Sequence, residues 1–143
     1  MDQVVAKIRK SATSEVWVVI TEYTGQKRLD IREYFLAGEG KGFLPTKKGV
    51  SFPLSAVRAL RDAIESLIGA TEIGTFESFL KSERSEVRAG LRSYLGHTYT
   101  EFRVYIPGDN PETEWRPTPR GFTLNPSLMH LLAEAVDDAE DLL

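Results

Sequence analysis

The chain has 143 residues and a formal net charge of −3, with 41% hydrophobic and 27% charged residues. That mix suits a packed globular fold of one ordinary domain or two small ones and argues against wholesale disorder or a general nucleic-acid sponge. With no cysteine, disulfides, thiolate metal sites and a cysteine nucleophile are excluded, and two histidines, His97 and His130, leave little for a metal cage, so no cofactor is expected.

Residues 1–14 read as a flexible N-terminal arm, basic but without the apolar stretch of a signal peptide. No apolar run nears the ~20 residues that cross a bilayer, so a cytoplasmic location and no membrane partner are expected. Val16–Ile20 is rich in β-branched and aromatic residues and predicts a strand, with Trp17 read as core. Tyr23-Thr24-Gly25-Gln26 supplies a turn, and Leu29–Phe35 alternates as a second strand. Ala37–Gly42 reads as a mobile hairpin loop. Its Gly38-Glu39-Gly40-Lys41-Gly42 run lacks the strand-to-helix context and the Ser or Thr of a phosphate loop. Phe43-Leu44 and Val50-Ser51-Phe52 predict two further short strands joined through Thr46–Gly49. From Leu54 the period becomes helical, with Leu54, Val57, Leu60, Ile64, Leu67 and Ile68 in one stripe. Residues 69–85 read as a linker, and Thr75–Leu80 within it as a short capped helix.

The rest of the chain repeats the first part. Under a shift of 71, Val16 falls on Val87, Tyr23 on Tyr94, Gly25 on Gly96, Arg32 on Arg103 and Tyr34 on Tyr105. Under a shift of 72, Pro45-Thr46-Lys47-Lys48-Gly49 overlies Pro117-Thr118-Pro119-Arg120-Gly121, and Leu60 and Ala63 overlie Leu132 and Ala135. The second helix begins at Asn125-Pro126, an N-cap followed by proline at the first helical position, and its stripe is Leu128, Leu132, Ala135, Val136, Ala139 and Leu143. The first helix has Pro53 where Asn125 stands, so its cap is weaker. Two units follow, over residues 15–68 and 86–143.

The run Leu29–Phe35, then Pro45–Pro53, then an amphipathic helix resembles the positive cofactor four family of transcriptional coactivators, and Phe102–Tyr105 with Trp115–Leu124 and a helix keeps the pattern. The resemblance implies an α+β fold in which each unit is a four-stranded antiparallel sheet followed by one helix. It also implies non-catalytic binding of single-stranded DNA with little sequence preference, in support of transcription, replication or repair. Family members carry one unit per chain and pair as homodimers. Two units on one chain therefore imply either an intramolecular pseudo-dimer or a homodimer exchanging repeats.

Binding an unpaired strand without reading sequence needs cations for phosphates and flat side chains for bases. The first unit offers Lys27, Arg28 and Arg32 around its hairpin, Lys41, Lys47 and Lys48 in the following loops, and Tyr23 and Phe35 as aromatics. By family position, Tyr23 is the aromatic before the hairpin glycine, Arg32 the second-strand arginine, Phe35 a base-stacking aromatic and Lys47-Lys48 the basic pair. The second unit offers Tyr94, Arg92, Arg103 and Arg120, while Lys27, Arg28, Phe35 and Lys47 become Thr98, Tyr99, Ile106 and Pro119. Trp115 and Arg116 are candidates to offset these losses. Each candidate has a plainer reading: Arg32 paired with Asp30 or Glu33, Lys47-Lys48 as a solvated turn, Tyr23 and Phe35 as sheet cover, Trp115 as core.

Charge divides unevenly, with residues 1–68 at +3 and residues 69–143 at −6. The acidic run Glu134, Asp137, Asp138, Glu140 and Asp141 reads as a solvated helix face or a surface for a basic partner. Rival readings are an RNA or mixed nucleic-acid binder of the Pur or Whirly kind, and a protein-interaction module contacting, for instance, transcription machinery. The richer first unit predicts an asymmetric groove. Arg32→Ala is expected to cost more single-strand affinity than Arg103→Ala in a titration with a labelled oligonucleotide, and equal losses would discard the asymmetry.

Overall fold

A computed structural model describes residues 2–143; residue 1 of the expected arm lies outside the described residues. Four strands, β1 (Gln3–Arg9), β2 (Ser14–Tyr23), β3 (Gln26–Leu36) and β4 (Phe43–Pro53), lead into helix α1 (Leu54–Leu67). The pattern repeats as β5 (Phe76–Ser82), β6 (Ser85–Tyr94), β7 (His97–Pro107) and β8 (Trp115–Leu124), then a 3-10 turn (Pro126–Leu128) and α2 (Met129–Leu142). Each set of four forms an antiparallel sheet in sequence order, β1-β2-β3-β4 and β5-β6-β7-β8. The expected fold class therefore holds: two tandem sheet-plus-helix units in an α+β chain.

The strands within each unit differ from the sequence reading in three places. The arm is not flexible over Gln3–Arg9, which pairs with β2 from Gln3↔Ile20 to Arg9↔Glu15 and buries Ile8 in the core. The linker segment Phe76–Ser82 is an edge strand rather than a short helix. Phe43-Leu44 and Val50–Phe52 are one strand, not two, and its register shifts between Arg32 and Tyr34. The bulge is held by Thr46, whose hydroxyl donates to the Glu33 carbonyl (2.8 Å) and accepts from the Lys48 amide (3.1 Å). Thr118 does the same with Val104 (2.8 Å) and Arg120 (3.2 Å). Between the flanking pairs one residue of the inner strand faces three of the edge strand, and such extra residues bend the strand and strengthen its twist.

The repeat extends to the turns. Thr24 and Gly25 have φ of 51° and 80°, and Leu95 and Gly96 have 50° and 79°. Two successive positive φ values make the tight hairpin turn whose twist matches its strands. A β-branched threonine there is strained, which the glycine after it limits to one position.

The two units share one core. Val16, Val18, Leu29, Ile31, Val50 and Phe52 of the first sheet join Val87, Phe102, Val104, Phe122 and Leu124 of the second, with both helices between. The helices are exchanged: α1 packs on β5 as well as on β3 and β4, whereas α2 packs on β1, β2 and α1. Of the predicted first stripe, Val57, Leu60, Ile64 and Leu67 are buried, while Leu54 and Ile68 are half exposed at the helix ends. Asn125 caps the 3-10 turn, its Oδ1 accepting from the Ser127 amide at 2.9 Å, whereas α2 itself begins later than expected, at Met129, without a side-chain cap; Pro53 gives α1 none either. Part of the acidic run on α2 faces α1. Arg61 pairs with Asp137 (2.8 Å) and Glu140 (3.0 Å), and these carboxylates, Asp137 first, raise its pKa.

A shared core predicts shared stability. Leu60 and Leu132 occupy equivalent, fully buried positions. Leu60→Ala and Leu132→Ala should each cost about 2–5 kcal/mol. Both should lower the same single thermal transition in a calorimetric scan, and two separated transitions would contradict a common core.

Candidate nucleic-acid interface

Alternation along each strand sends one set of side chains into the core and the other to the opposite, outer face. On the first sheet that outer face carries Trp17, Arg32 and Tyr34. Trp17, expected in the core, stacks instead on Tyr34 with ring centroids 3.9 Å apart. The Lys7 ammonium lies 4.3 Å from the Trp17 ring, a cation–π contact. Glu15 accepts from the indole Nε1 (2.9 Å) and from Arg9 (3.2 Å), which fixes the ring's orientation. Burial, with Asp30 adding, pushes the Tyr34 phenol above its usual pKa, so it stays neutral.

The second sheet repeats this arrangement with one exchange. Arg88 stands where Trp17 does, and its guanidinium lies 4.1 Å from the Tyr105 ring. Glu86 accepts from Arg88 Nε (2.9 Å), as Glu15 accepts from Trp17. A planar cation replaces a planar indole on the same tyrosine.

Beside each stack lies an anchored arginine. Arg32 donates to both Asp30 oxygens (2.9 and 3.1 Å) and to the Thr46 carbonyl (3.0 Å). Arg103 donates to Glu101 (3.1 Å) and the Thr118 carbonyl (2.9 Å). Each crosses a glycine on the neighbouring strand: a Cβ on Gly49 would come within 2.8 Å of Arg32, and one on Gly121 within 2.5 Å of the Phe102 carbonyl. The pairing of Arg32 with Asp30 realises one of its plainer readings, and leaves the arginine side chain about a quarter exposed.

The other predicted residues separate into groups. Lys48 and Arg103, from different units, line one cleft with Lys10 and Glu33. Arg28 lies on the outer face, its Nε donating to Ser51 Oγ at 2.8 Å. Arg120 and Lys47 are exposed on β8 and β4. Arg92 lies on the outer face, 3.8 Å from Glu101. Tyr23 and Tyr94 stand exposed at the two hairpin tips. Phe35 is exposed at the far end of β3, opposite Leu44. Four candidates are not brought to this face. Lys27 projects on the helix side, near Pro53 and Leu54. Lys41 sits at the tip of the β3–β4 loop. Arg116, with half-buried Trp115 beside it at the start of β8, is tied to Glu114 (2.7 Å) and Asp109 (3.2 Å), and the Glu114 bond foremost raises its pKa.

Lys7, Arg9, Trp17, Tyr34, Arg88 and Tyr105 were not among the sequence candidates. Strand parity was the available signal. Trp17, Arg32 and Tyr34 share a face once β2 is paired with β3 from Glu15↔Tyr34 to Trp17↔Arg32.

Residues 10–63 match the family model described as Transcriptional Coactivator p15 (PC4). The chain thus resembles that family as a tandem two-unit chain, the match falling on its first unit. Among solved structures, a PC4 homologue from Burkholderia pseudomallei is 22% identical, covers 45% of this chain and 85% of its own, and gives a TM-score of 0.42. A bacteriophage T5 homologue of the eukaryotic coactivator PC4, implicated in recombination-dependent DNA replication, is 26% identical, covers 48% and 77%, and gives 0.41. No curated protein matches the chain. No helix among the described residues is long and apolar enough to cross a membrane.

The close approach at Gly121 sets a test of the outer face's architecture. Because the obstructing atom is backbone, Gly121→Ala should destabilise the fold by about 1–3 kcal/mol in denaturant unfolding. Gly49→Ala would bring its Cβ within 2.8 Å of the Arg32 Cβ and Cγ, the root of that side chain, and should be destabilising as well.

Proposed function

We propose that this chain binds single-stranded DNA without catalysis and with little sequence preference, supporting transcription, replication or repair in the cytoplasm, and that one chain, its repeats paired internally, is the working unit. The observation that carries the reading is the doubled outer-face arrangement: a flat group on a tyrosine beside an arginine clamped over a glycine, once per sheet. Stacking on such platforms is worth roughly 1–3 kcal/mol per base and tolerates any base. Cations from both units border the seams between the sheets and suit a backbone passing from one sheet to the other. The family match of the first unit agrees with this chemistry.

Nothing in stacking and phosphate contact reads a 2′-hydroxyl, so RNA is a competing ligand rather than an excluded one. The protein-interaction reading loses some support, because Asp137 and Glu140 of the acidic run are engaged by Arg61 of the same chain.

The test compares a labelled single-stranded oligonucleotide, its RNA equivalent and duplex across several salt concentrations. With about six phosphates neutralised, log affinity should fall with log salt at a slope near −4, from roughly −0.7 per contact. Trp17→Ala should weaken single-strand binding by roughly 1–3 kcal/mol and leave the slope unchanged. No binding at low salt would overturn the reading, and a clear preference for RNA would reassign the ligand. Sedimentation equilibrium should return the mass of one chain; a dimer mass would point to exchanged repeats.

A further inference from the structure

The edges of the two sheets, β4 and β8, face one another across two seams related by the internal repeat. A lysine at or just past the end of the first strand of each unit reaches across one of them. Lys10 donates to Thr123 of the second unit (2.9 Å), and Lys81 donates to the carbonyl of Ser51 in the first (2.8 Å). Lys10 and Lys81 are equivalent under the shift of 71, and Ser51 and Thr123 under the shift of 72.

The seams differ in charge. At the first, Glu33 accepts from Lys10 at 2.9 Å, and its other oxygen lies 3.4 Å from the Thr123 amide that donates to it. The carboxylate thus neutralises the lysine and occupies the place an anion would take. At the second seam the equivalent of Glu33 is Val104, which is buried in the core. Arg28 stands there where the second unit has Tyr99, and it donates to the same Ser51 carbonyl as Lys81, at 3.1 Å. No ion pair among the described residues involves Lys81, Arg28 or Arg120. Burial first, and then the like charges of Arg28 and Arg120, lower the pKa of Lys81, so both charged groups acting on it are cations. Cations gathered on one carbonyl oxygen without a carboxylate are poorly compensated, and an arriving anion relieves that repulsion.

We propose that the seam of Lys81 and Arg28 at the Ser51 carbonyl is an anion site that takes one backbone phosphate of the bound strand, and that Glu33 closes the equivalent seam at Lys10 to phosphate. The proposal rests on the nucleic-acid reading above for the identity of the anion. It makes the two halves of the pseudo-dimer unequal toward a bound strand, which two identical halves would not be.

The test uses the full chain and two probes. In a titration with inorganic pyrophosphate followed by NMR, the side-chain methylene signals next to the Lys81 ammonium should shift saturably while those of Lys10 stay fixed. Equal shifts at both lysines, or none at Lys81, would overturn the assignment. With a single-stranded oligonucleotide, Lys81→Met should make the salt slope shallower by about 0.7, and Lys10→Met should leave it unchanged. Glu33→Gln, which frees Lys10, should steepen the slope by a similar amount. Failure of the unaltered chain to bind the oligonucleotide would overturn the functional reading, whereas intact binding with equal changes for the two lysine variants would overturn the seam assignment alone. Thermal unfolding of each variant in one cooperative transition would show that the comparison is between folded proteins.

Discussion

The exchange of helices is the constraint on which the rest of the structure depends. An antiparallel sheet with one apolar face must bury that face against another layer. Here α2 lies on β1 and β2 of the other unit, and α1 reaches β5. A sheet-plus-helix unit alone would leave much of its apolar face in water, at a cost of roughly 25 cal/mol for each Å² exposed. The ring of Phe52, on β4, lies 6.3 Å from that of Phe79, on β5, so the core crosses from unit to unit. Packing the helices inside leaves both outer faces free and brings the β4 and β8 edges opposite each other. The position of the candidate interface follows from how the core is closed.

Joining the units on one chain also removes the requirement that they be equal. Where the geometry is needed to build the sheet, the copies have stayed alike: the threonine that holds the bulge, the glycine under the arginine, and the paired positive-φ turn occur twice. Where the geometry is indifferent, they have diverged. Trp17 has become Arg88, Arg28 has become Tyr99, and Glu33 has become Val104. Each of these changes charge on or beside the outer face, and none breaks the ladder. The backbone is therefore nearly two-fold, and the charge on it is not.

The repeat, the helices and the central strands were legible because each is written in several residues at once. A shift that aligns Tyr23, Gly25, Arg32 and Tyr34 with their counterparts has little freedom left. The edge strands were not legible, for identifiable reasons. In Phe76–Ser82 the apolar residues are Phe76, Phe79 and Leu80, a spacing of three and four that imitates a helix. In Gln3–Arg9 the alternation is interrupted by a register shift between Val4 and Ala6, and the basic residues around it resemble a solvated arm. Trp17 was misplaced because its neighbours Val16, Val18 and Val19 are all buried, which hides the parity of the strand. A strand with apolar residues on both faces gives composition without direction, and only the partner strand supplies the direction. Lys81 is silent in the sequence for a related reason: its significance lies in a carbonyl thirty residues away and in a carboxylate its equivalent position possesses and it lacks.

The exchange of Trp17 for Arg88 bears on how an outwardly acidic second unit could hold a polyanion. In its hairpin and bulge that unit has replaced Lys27, Arg28 and Lys47 by Thr98, Tyr99 and Pro119, so it carries fewer cations in its turns. A guanidinium stacked on Tyr105 places one back on the sheet itself. A flat cation can meet a base through its face and a phosphate through its edge, whereas an indole can do only the first. On the first sheet the indole of Trp17 lies between the Tyr34 ring and the Lys7 ammonium, so ring and charge come from two residues. The second assigns both to Arg88, whose orientation is held by Glu86. Glu86 also partly neutralises that charge, so the planar face of Arg88 is less altered by its partner than its charge is.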